Sequence, residues 1–217
     1  MAATQIYPPI IIVENIINAF SKYRNLTVIS KKYTNDDIVS EMETFSYIRI
    51  DSINNNIEKK RNHIIFIIIK EDSKYSLHSP DLRKLLDGIT SDQLYKDDKI
   101  SEIIMIVDES FFMRKKLLET IDALNSEDKK AIKYKVYSYI NFIFVVPEHQ
   151  SVPKHRIMNK EEIEKLFNFD RINSKSVGSI SINDPPIIWL GANKGDIIEI
   201  ERDSQTAGVA LYYRRVV

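Results

Sequence analysis

The chain has 217 residues, of which 43% are hydrophobic, so it can fill one large folded domain or two small ones. Its 31 lysines and arginines balance its 31 aspartates and glutamates, whereas a free-standing DNA-binding protein usually has a basic excess. The absence of cysteine excludes disulfides, iron–sulfur clusters and thiol nucleophiles. No signal-peptide pattern is visible, and the longest apolar run, residues 64–69, is too short to span a bilayer. We therefore expect a soluble intracellular protein without membrane contact.

Two helices are predicted near the start of the chain, because apolar residues recur there at helical spacing. The apolar face of the first helix is Ile12, Ile16, Phe20 and Tyr23. Thr34 is the expected N-cap of the second helix, and Asp37 stands at the capping-box position. The apolar face of this second helix is Ile38, Met42 and Phe45.

Strands and helices alternate over the next part of the chain. Strands are predicted at residues 47–50, 63–70 and 102–108, and the second is apolar enough to be buried on both faces. A helix is predicted over residues 79–87, ended by Gly88, and another passes through Leu117, Leu118, Ile121 and Leu124. This order predicts an α/β domain, residues 1–141, with helices covering a sheet.

The remaining residues, 142–217, are predicted to form a small α+β domain with a mixed sheet. Residues 142–146 are a predicted strand ended by Pro147, and the last strands are expected at 196–202 and 209–217. Between them, Asn159 is the expected cap of a helix with Glu162 at the capping-box position. The predicted inner face of that helix is Ile163, Leu166 and Phe167. A short helix is expected from an Asp184 carboxylate cap and Pro185 to Gly191, and turns are expected at 193–195 and 206–208.

None of the common enzyme motifs is present in the sequence. The sequence has no glycine-rich phosphate loop, no G-x-S-x-G and no H-E-x-x-H. His149 and His155 lie six residues apart across two prolines, a spacing that favours hydrogen bonding in a folded turn over metal binding. We therefore predict no catalytic set, no metal and no cofactor.

One string permits a catalytic alternative. Asp51, Glu58 and Lys60 form a D…E-x-K pattern, which metal-dependent nucleases use to hold Mg²⁺ and place a lysine near the attacking water. Such enzymes need the E-x-K on a central strand, whereas here it follows three asparagines in a predicted loop. A loop surface is the favoured interpretation. A nuclease-like domain fused to a protein-binding module remains the alternative.

Basic clusters in the first domain are candidate contacts to nucleic-acid phosphates. Each cluster alone is better explained as a solvated face balanced by nearby acids. Together they form a candidate weak strip that faces nucleic-acid phosphates. The residues are Lys59, Lys60, Arg61, Arg114, Lys115 and Lys116.

The last third of the chain carries a series of uncommon elements in fixed order. They are His149, Val152, Pro153, His155, Asp184, Pro185, Gly191, Lys194, Gly195, Arg202, Thr206, Gly208, Tyr213 and Arg214. This series resembles the shared fifth subunit of eukaryotic nuclear RNA polymerases, whose archaeal counterpart lacks the first domain. Two details depart from the family: residues 177–180 replace its usual Leu-Pro-Arg-Ile, and Val209 and Ala210 replace a basic and an aromatic residue.

The resemblance implies a jaw-like first domain and a second, assembly domain. It implies a non-catalytic subunit of a DNA-directed RNA polymerase that binds the largest subunit and neighbouring small subunits, and that supports the downstream-DNA end of the cleft. Residues 81–86, 106–108 and 184–191 look more like copies encoded by large nucleocytoplasmic DNA viruses. The expected location is then the virion and cytoplasmic viral factory, or the nucleus for a cellular copy. A stand-alone transcription adaptor is a further alternative.

Overall fold

The computed structural model describes most of the chain as two compact units. The units are Met1–Phe144 and Val145–Val217, and the boundary expected from the sequence lay between residues 141 and 142. Among the residues that the structure describes, each unit has its own sheet, with five strands in the first and four in the second. The described residues are 8–30, 32–55, 62–70, 79–92, 95, 98–109, 115–126, 132–168, 177–204 and 208–217.

The first unit alternates helices and strands. Helix α1, Pro8–Asn15, continues through a π-helical segment, Ile16–Phe20, and ends with Ser21–Tyr23. The other helices are α2, Asn35–Phe45, α3, Ser79–Thr90, and α4, Lys115–Ser126. The strands are β1, Leu26–Val28, β2, Tyr47–Asn54, β3, Asn62–Ile69, β4, Lys99–Val107, and β5, Lys133–Ser138.

Strand β3 is the centre of the first sheet, whose strand order is β1-β2-β3-β4-β5. It pairs antiparallel with β2 and parallel with β4, and all of its residues are buried. A strand covered on both faces reads as a continuous apolar run, which is why the isoleucine-rich segment was recognised from sequence. Strands β1 and β5 were not predicted, because each is a short edge strand with mixed polarity.

The two faces of this sheet bury different side chains. Ile65, Ile67 and Ile69 point towards α3 and α4 and join one apolar cluster with their residues. Phe66 points the opposite way, and its ring lies 5.6 Å from that of Phe20 in an edge-to-face arrangement. The helix residues that join the first cluster include Leu82, Leu86, Ile89, Leu117 and Ile121.

The structure confirms the cap of α2 and corrects two other helical predictions. The Thr34 side chain accepts from the Asp37 backbone, and the Asp37 carboxylate accepts from the Thr34 N–H. Phe45 was assigned to the buried face but is 55% exposed, because the helix ends there and Ser46 adopts a left-handed φ of 65°. Gly88 does not end α3. The helix runs on to Thr90, and the buried Ile89 packs against the sheet cluster.

The second unit is a four-stranded mixed sheet with two helices. The helices are α5, Lys160–Asn168, and α6, Pro185–Leu190, and the strands are β6, Lys154–Ile157, β7, Gly178–Ile180, β8, Ile197–Ser204, and β9, Gly208–Val216. The strand order is β6-β8-β9-β7, with β7 parallel to β9 and the other pairs antiparallel. The mixed sheet and the Asn159–Glu162 capping box are both confirmed, whereas β6 and β7 were missed.

The predicted strand at residues 142–146 is wrong. Two 3₁₀ turns, Tyr139–Asn141 and Val146–Glu148, flank this stretch, and the Phe142 N–H donates to the Tyr139 carbonyl. Phe142 is fully buried in the first unit, with its ring 5.3 Å from that of Phe20. Burying that one aromatic ring requires a turn here, and an apolar run cannot by itself distinguish a turn from a strand.

Candidate functional site

An open groove in the second unit brings together part of the predicted motif. Its volume is about 560 Å³, and it lies between the segment before β6 and the end of β8. Val152, Pro153 and Arg202 were predicted from the sequence. Lys154 lies within the same matched segment of the sequence, whereas the other lining residues were missed, although they directly neighbour the motif: Gln150, Ser151, Glu201 and Asp203.

Hydrogen bonds fix the segment that forms one wall of the groove. The Val152 N–H donates to the His149 carbonyl at 2.9 Å, and the Ser151 N–H donates to His149 Nδ1 at 3.2 Å. His155 donates from Nδ1 to the Pro153 carbonyl at 2.6 Å. Burial lowers the pKa of His155, so this imidazole is neutral near pH 7. Both histidines thus form the turn hydrogen bonds that the sequence favoured.

Helix α6 packs on the sheet of the second unit. Its Ile187 joins a buried cluster with Ile198 and Ile200 of β8. Asp184 is the N-cap residue, but its carboxylate makes no cap hydrogen bond, which corrects the expected carboxylate cap. The Asp184 carbonyl instead accepts from the Ile187 and Ile188 N–H groups. Gly191 ends the helix with a left-handed φ of 70°, as expected of a residue without a Cβ.

The β8–β9 hairpin carries several of the remaining motif residues, on alternating faces. Arg202 is exposed and lies over the ring of Tyr212, 5.3 Å from its centre. Tyr213 packs on the other face against the cluster that contains Leu166 of α5. Arg214 donates from its guanidinium to the Ser179 carbonyl at 3.0 Å. Lys194 and Gly195 are exposed in the turn before β8, Pro185 is exposed at the start of α6, and Thr206 lies outside the described residues.

The candidate DNA contacts are only partly described by the structure. Lys115 and Lys116 are exposed on the first turn of α4, and Lys115 Nζ lies 3.6 Å from Glu119 in a solvent-facing pair. Lys59, Lys60, Arg61 and Arg114 lie outside the described residues. None of the described helices is long and apolar enough to cross a membrane.

Asp51 of the nuclease-like string is held inside the first unit. Its Oδ1 accepts from Arg49 at 3.0 Å and from the Tyr95 hydroxyl at 2.6 Å, so that oxygen already has two donors. Glu58 and Lys60 lie outside the described residues. In the part of the chain that the structure describes, no group of three or more potential metal-ligating side chains occurs.

Comparison with known proteins finds relatives of the second unit and of the chain as a whole among RNA polymerase subunits and their homologues. A family model described as "RNA polymerase Rpb5, C-terminal domain" matches residues 144–216. The "DNA-directed RNA polymerase subunit Rpo5" of Thermococcus kodakarensis is 46% identical over 74 residues, which cover 34% of this chain and 90% of the relative. The "DNA-directed RNA polymerase RPB5 homolog" of African swine fever virus, isolate Tick/South Africa/Pretoriuskop Pr4/1996, is 28% identical over 199 residues, 91% of this chain and 92% of the relative.

These matches define a class of protein, the subunits of DNA-directed RNA polymerases. Within that class, the chain belongs to the Rpb5 family, which is called Rpo5 in the archaeal relatives. Its similarity to the viral relatives extends through both units, whereas its similarity to the archaeal relatives covers about a third of the chain.

Proposed function

We propose that the chain is a non-catalytic subunit of a DNA-directed RNA polymerase that binds the largest subunit, and neighbouring small subunits, through its second unit. The observation that carries the proposal is the location of the motif: every residue of the series from His149 to Arg214 belongs to the unit that matches the Rpb5 C-terminal domain. The viral and archaeal relatives are named as polymerase subunits or homologues of one.

The motif divides into residues that shape the unit and residues that are available to a partner. Asp184, Gly191 and His155 set backbone directions through the contacts described above. His149, Lys194 and Arg202 are exposed, so they are the better candidates for direct partner contacts. Of these, Arg202 lines the groove, and an exposed charge there suits a specific contact with another subunit, because complementary charges across an interface set the choice of partner.

For the first unit we propose the role of a jaw that supports downstream DNA within the assembled enzyme. The resemblance in layout supports this role, as do the exposed Lys115 and Lys116 on α4. The zero net charge argues that the free chain does not hold DNA alone, because counterion release supplies most of the affinity of a DNA-binding protein. Large subunits would therefore provide the grip, and this unit would add local phosphate contacts.

Co-purification tests the proposal. A tagged full chain expressed with its polymerase should be recovered in a fixed ratio with the two large subunits. Arg202→Glu should lower that recovery, whereas the control Lys165→Glu, exposed on α5, should not. A stand-alone adaptor would be recovered without the large subunits, and a nuclease would cut DNA by itself with Mg²⁺. Either result would contradict the proposed role.

A further inference from the structure

The groove exposes the edge of a strand that is covered elsewhere. From Ile198 to Glu201 β8 is paired on both sides, with β6 on one and β9 on the other. The β6 pairing stops where Lys154 lies opposite Glu201, while the β9 pairing continues to Ser204. In the described part of the chain, the last residues of β8 therefore have a strand neighbour on one side only.

The backbone groups of Asp203 point into the open side. The Ile197 carbonyl accepts from the Met158 N–H at 2.9 Å, which identifies the side of β8 that faces β6. In an antiparallel strand, residues an even number of positions apart turn their N–H and C=O to the same neighbour. Asp203 is such a residue, so its N–H and C=O face the groove where β6 no longer runs.

The walls and charges of the groove limit what can occupy it. Val152 and Pro153, which precede β6, form the wall of the groove that stands opposite the end of β8. Glu201 and Asp203 project from the same face of β8, because they are two residues apart. In the described chain Glu201 has one ion-pair partner, the exposed Lys154 at 3.5 Å, and Asp203 has none.

We propose that this groove takes an extended segment of another polymerase subunit, which adds to the sheet as a short strand antiparallel to β8 in continuation of β6. Strand addition to an open edge supplies affinity through main-chain hydrogen bonds, and side-chain neighbours supply selectivity. The segment carries a basic side chain opposite Asp203, where it meets the carboxylates of Glu201 and Asp203. This inference rests on the proposed role as a polymerase subunit and adds how the partner is held.

Two variants at one position separate strand addition from charge attraction. Asp203→Pro removes both the charge and the groove-facing N–H, whereas Asp203→Ala removes the charge and keeps the N–H. The Pro variant should therefore bind the large subunits about tenfold more weakly than the Ala variant, because it lacks one main-chain hydrogen bond. Loss of one exposed charge should by itself weaken that binding by only about two- to fivefold. Competition of each variant with the parent full chain for the co-expressed large subunits measures the difference, and thermal unfolding confirms that both variants fold.

Amide hydrogen exchange of the parent chain gives a second readout that needs no substitution. The Asp203 N–H should exchange about tenfold or more slowly in the assembled enzyme than in the free chain. If the full chain enters the enzyme but Asp203 shows no protection, or if the Pro and Ala variants compete equally, strand addition is wrong and the proposed function survives. If the parent chain does not enter the enzyme at all, both proposals are wrong.

Discussion

The two units are related to known proteins to different degrees, although each is a mixed sheet with helices. The second unit is 46% identical to an archaeal relative over 74 residues, whereas the whole chain is 28% identical to a viral relative over 199. The first unit depends on a buried isoleucine-rich sheet, and many apolar sequences can fill such a core. The second unit depends on glycines at left-handed turns and on individual hydrogen bonds, which few other residues can replace.

The largest effect should come from a buried charge in the first unit. Glu102 accepts from Arg24 at 2.8 Å, and Lys135 Nζ lies 2.7 Å from its other oxygen. Glu102→Ala leaves the two cations without their anion, so the first unit should lose about 3–5 kcal/mol of unfolding free energy. Chemical denaturation with probes in each unit measures the loss, and the second unit should be unaffected.

A solvent-exposed ion pair in the same unit is the control for that loss. Glu119→Ala removes the partner of Lys115 on the surface of α4 and should cost less than about 0.5 kcal/mol. Equal losses for Glu102→Ala and Glu119→Ala would show that the buried ion pairs of Glu102 contribute no more stability to the first unit than an exposed ion pair does.

The next effect concerns a glycine in the second unit. Gly208 has a φ of 72°, and no atom of the described residues lies close to the position of an added Cβ, so the cost expected for a substitution is backbone strain. Gly208→Val should destabilise the second unit by about 2 kcal/mol, because a β-branched residue resists a positive φ. Gly208→Asn should cost less, since asparagine tolerates this region better.

Substitution of Gly88 in the first unit should stabilise the protein, which is the opposite of the effect expected at Gly208. Gly88 lies inside α3 with open space around an added Cβ, so Gly88→Ala should raise the unfolding free energy by about 0.5–1 kcal/mol. Thermal unfolding of the two glycine variants measures both signs. A stabilising Gly208→Val would show that this residue does not require a left-handed turn in solution.

The accuracy of the sequence predictions follows a different division, between features set by local chemistry and features set by contacts distant in sequence. The turn glycines, the Asn159 capping box and the buried strand β3 were predicted because each depends on local chemistry. The strand expected at residues 142–146 was wrong because the position of Phe142 is decided by its contact with Phe20, far away in sequence. Edge strands and groove residues such as Asp203 were missed for the same reason, since their neighbours are set by pairing between strands.

A smaller effect is expected for DNA. Reversing the charges of Lys59, Lys60, Arg61, Arg114, Lys115 and Lys116 should weaken the hold of the assembled enzyme on downstream duplex, equally for all sequences, and leave assembly intact. Each lost phosphate contact should reduce the slope of the logarithm of the binding constant against the logarithm of the salt concentration by about one. The matched control reverses Lys160 and Lys165 of the second unit. Tight, salt-sensitive DNA binding by the free parent chain would contradict the account.

The smallest effect is a difference in acid response between the units. Burial lowers the pKa of His155, so the unfolded chain binds the proton more readily, and this contribution to the stability of the second unit falls as the pH drops below about 6.5. Burial alone would raise the pKa of Glu102, but Arg24 and Lys135 outweigh it and hold that pKa below 4.5.

The Glu102 contribution to the first unit is thus fully present above pH 4.5 and is lost only at lower pH, as the carboxylate is protonated. Unfolding measured between about pH 7 and pH 5.5 should show the second unit weakening first. His155→Gln should remove most of that dependence. An unchanged pH profile in this variant would show that the imidazole is not the responsible group.

The most direct test of the whole account expresses the two units separately with the large polymerase subunits. Residues 145–217 should fold, enter the complex and be recovered with the largest subunit, because the motif and the family match lie in this unit. Residues 1–144 should not be recovered with it on their own. Recovery of the first unit alone, or failure of a folded second unit to enter the complex, would contradict the claim that the second unit is the assembly unit.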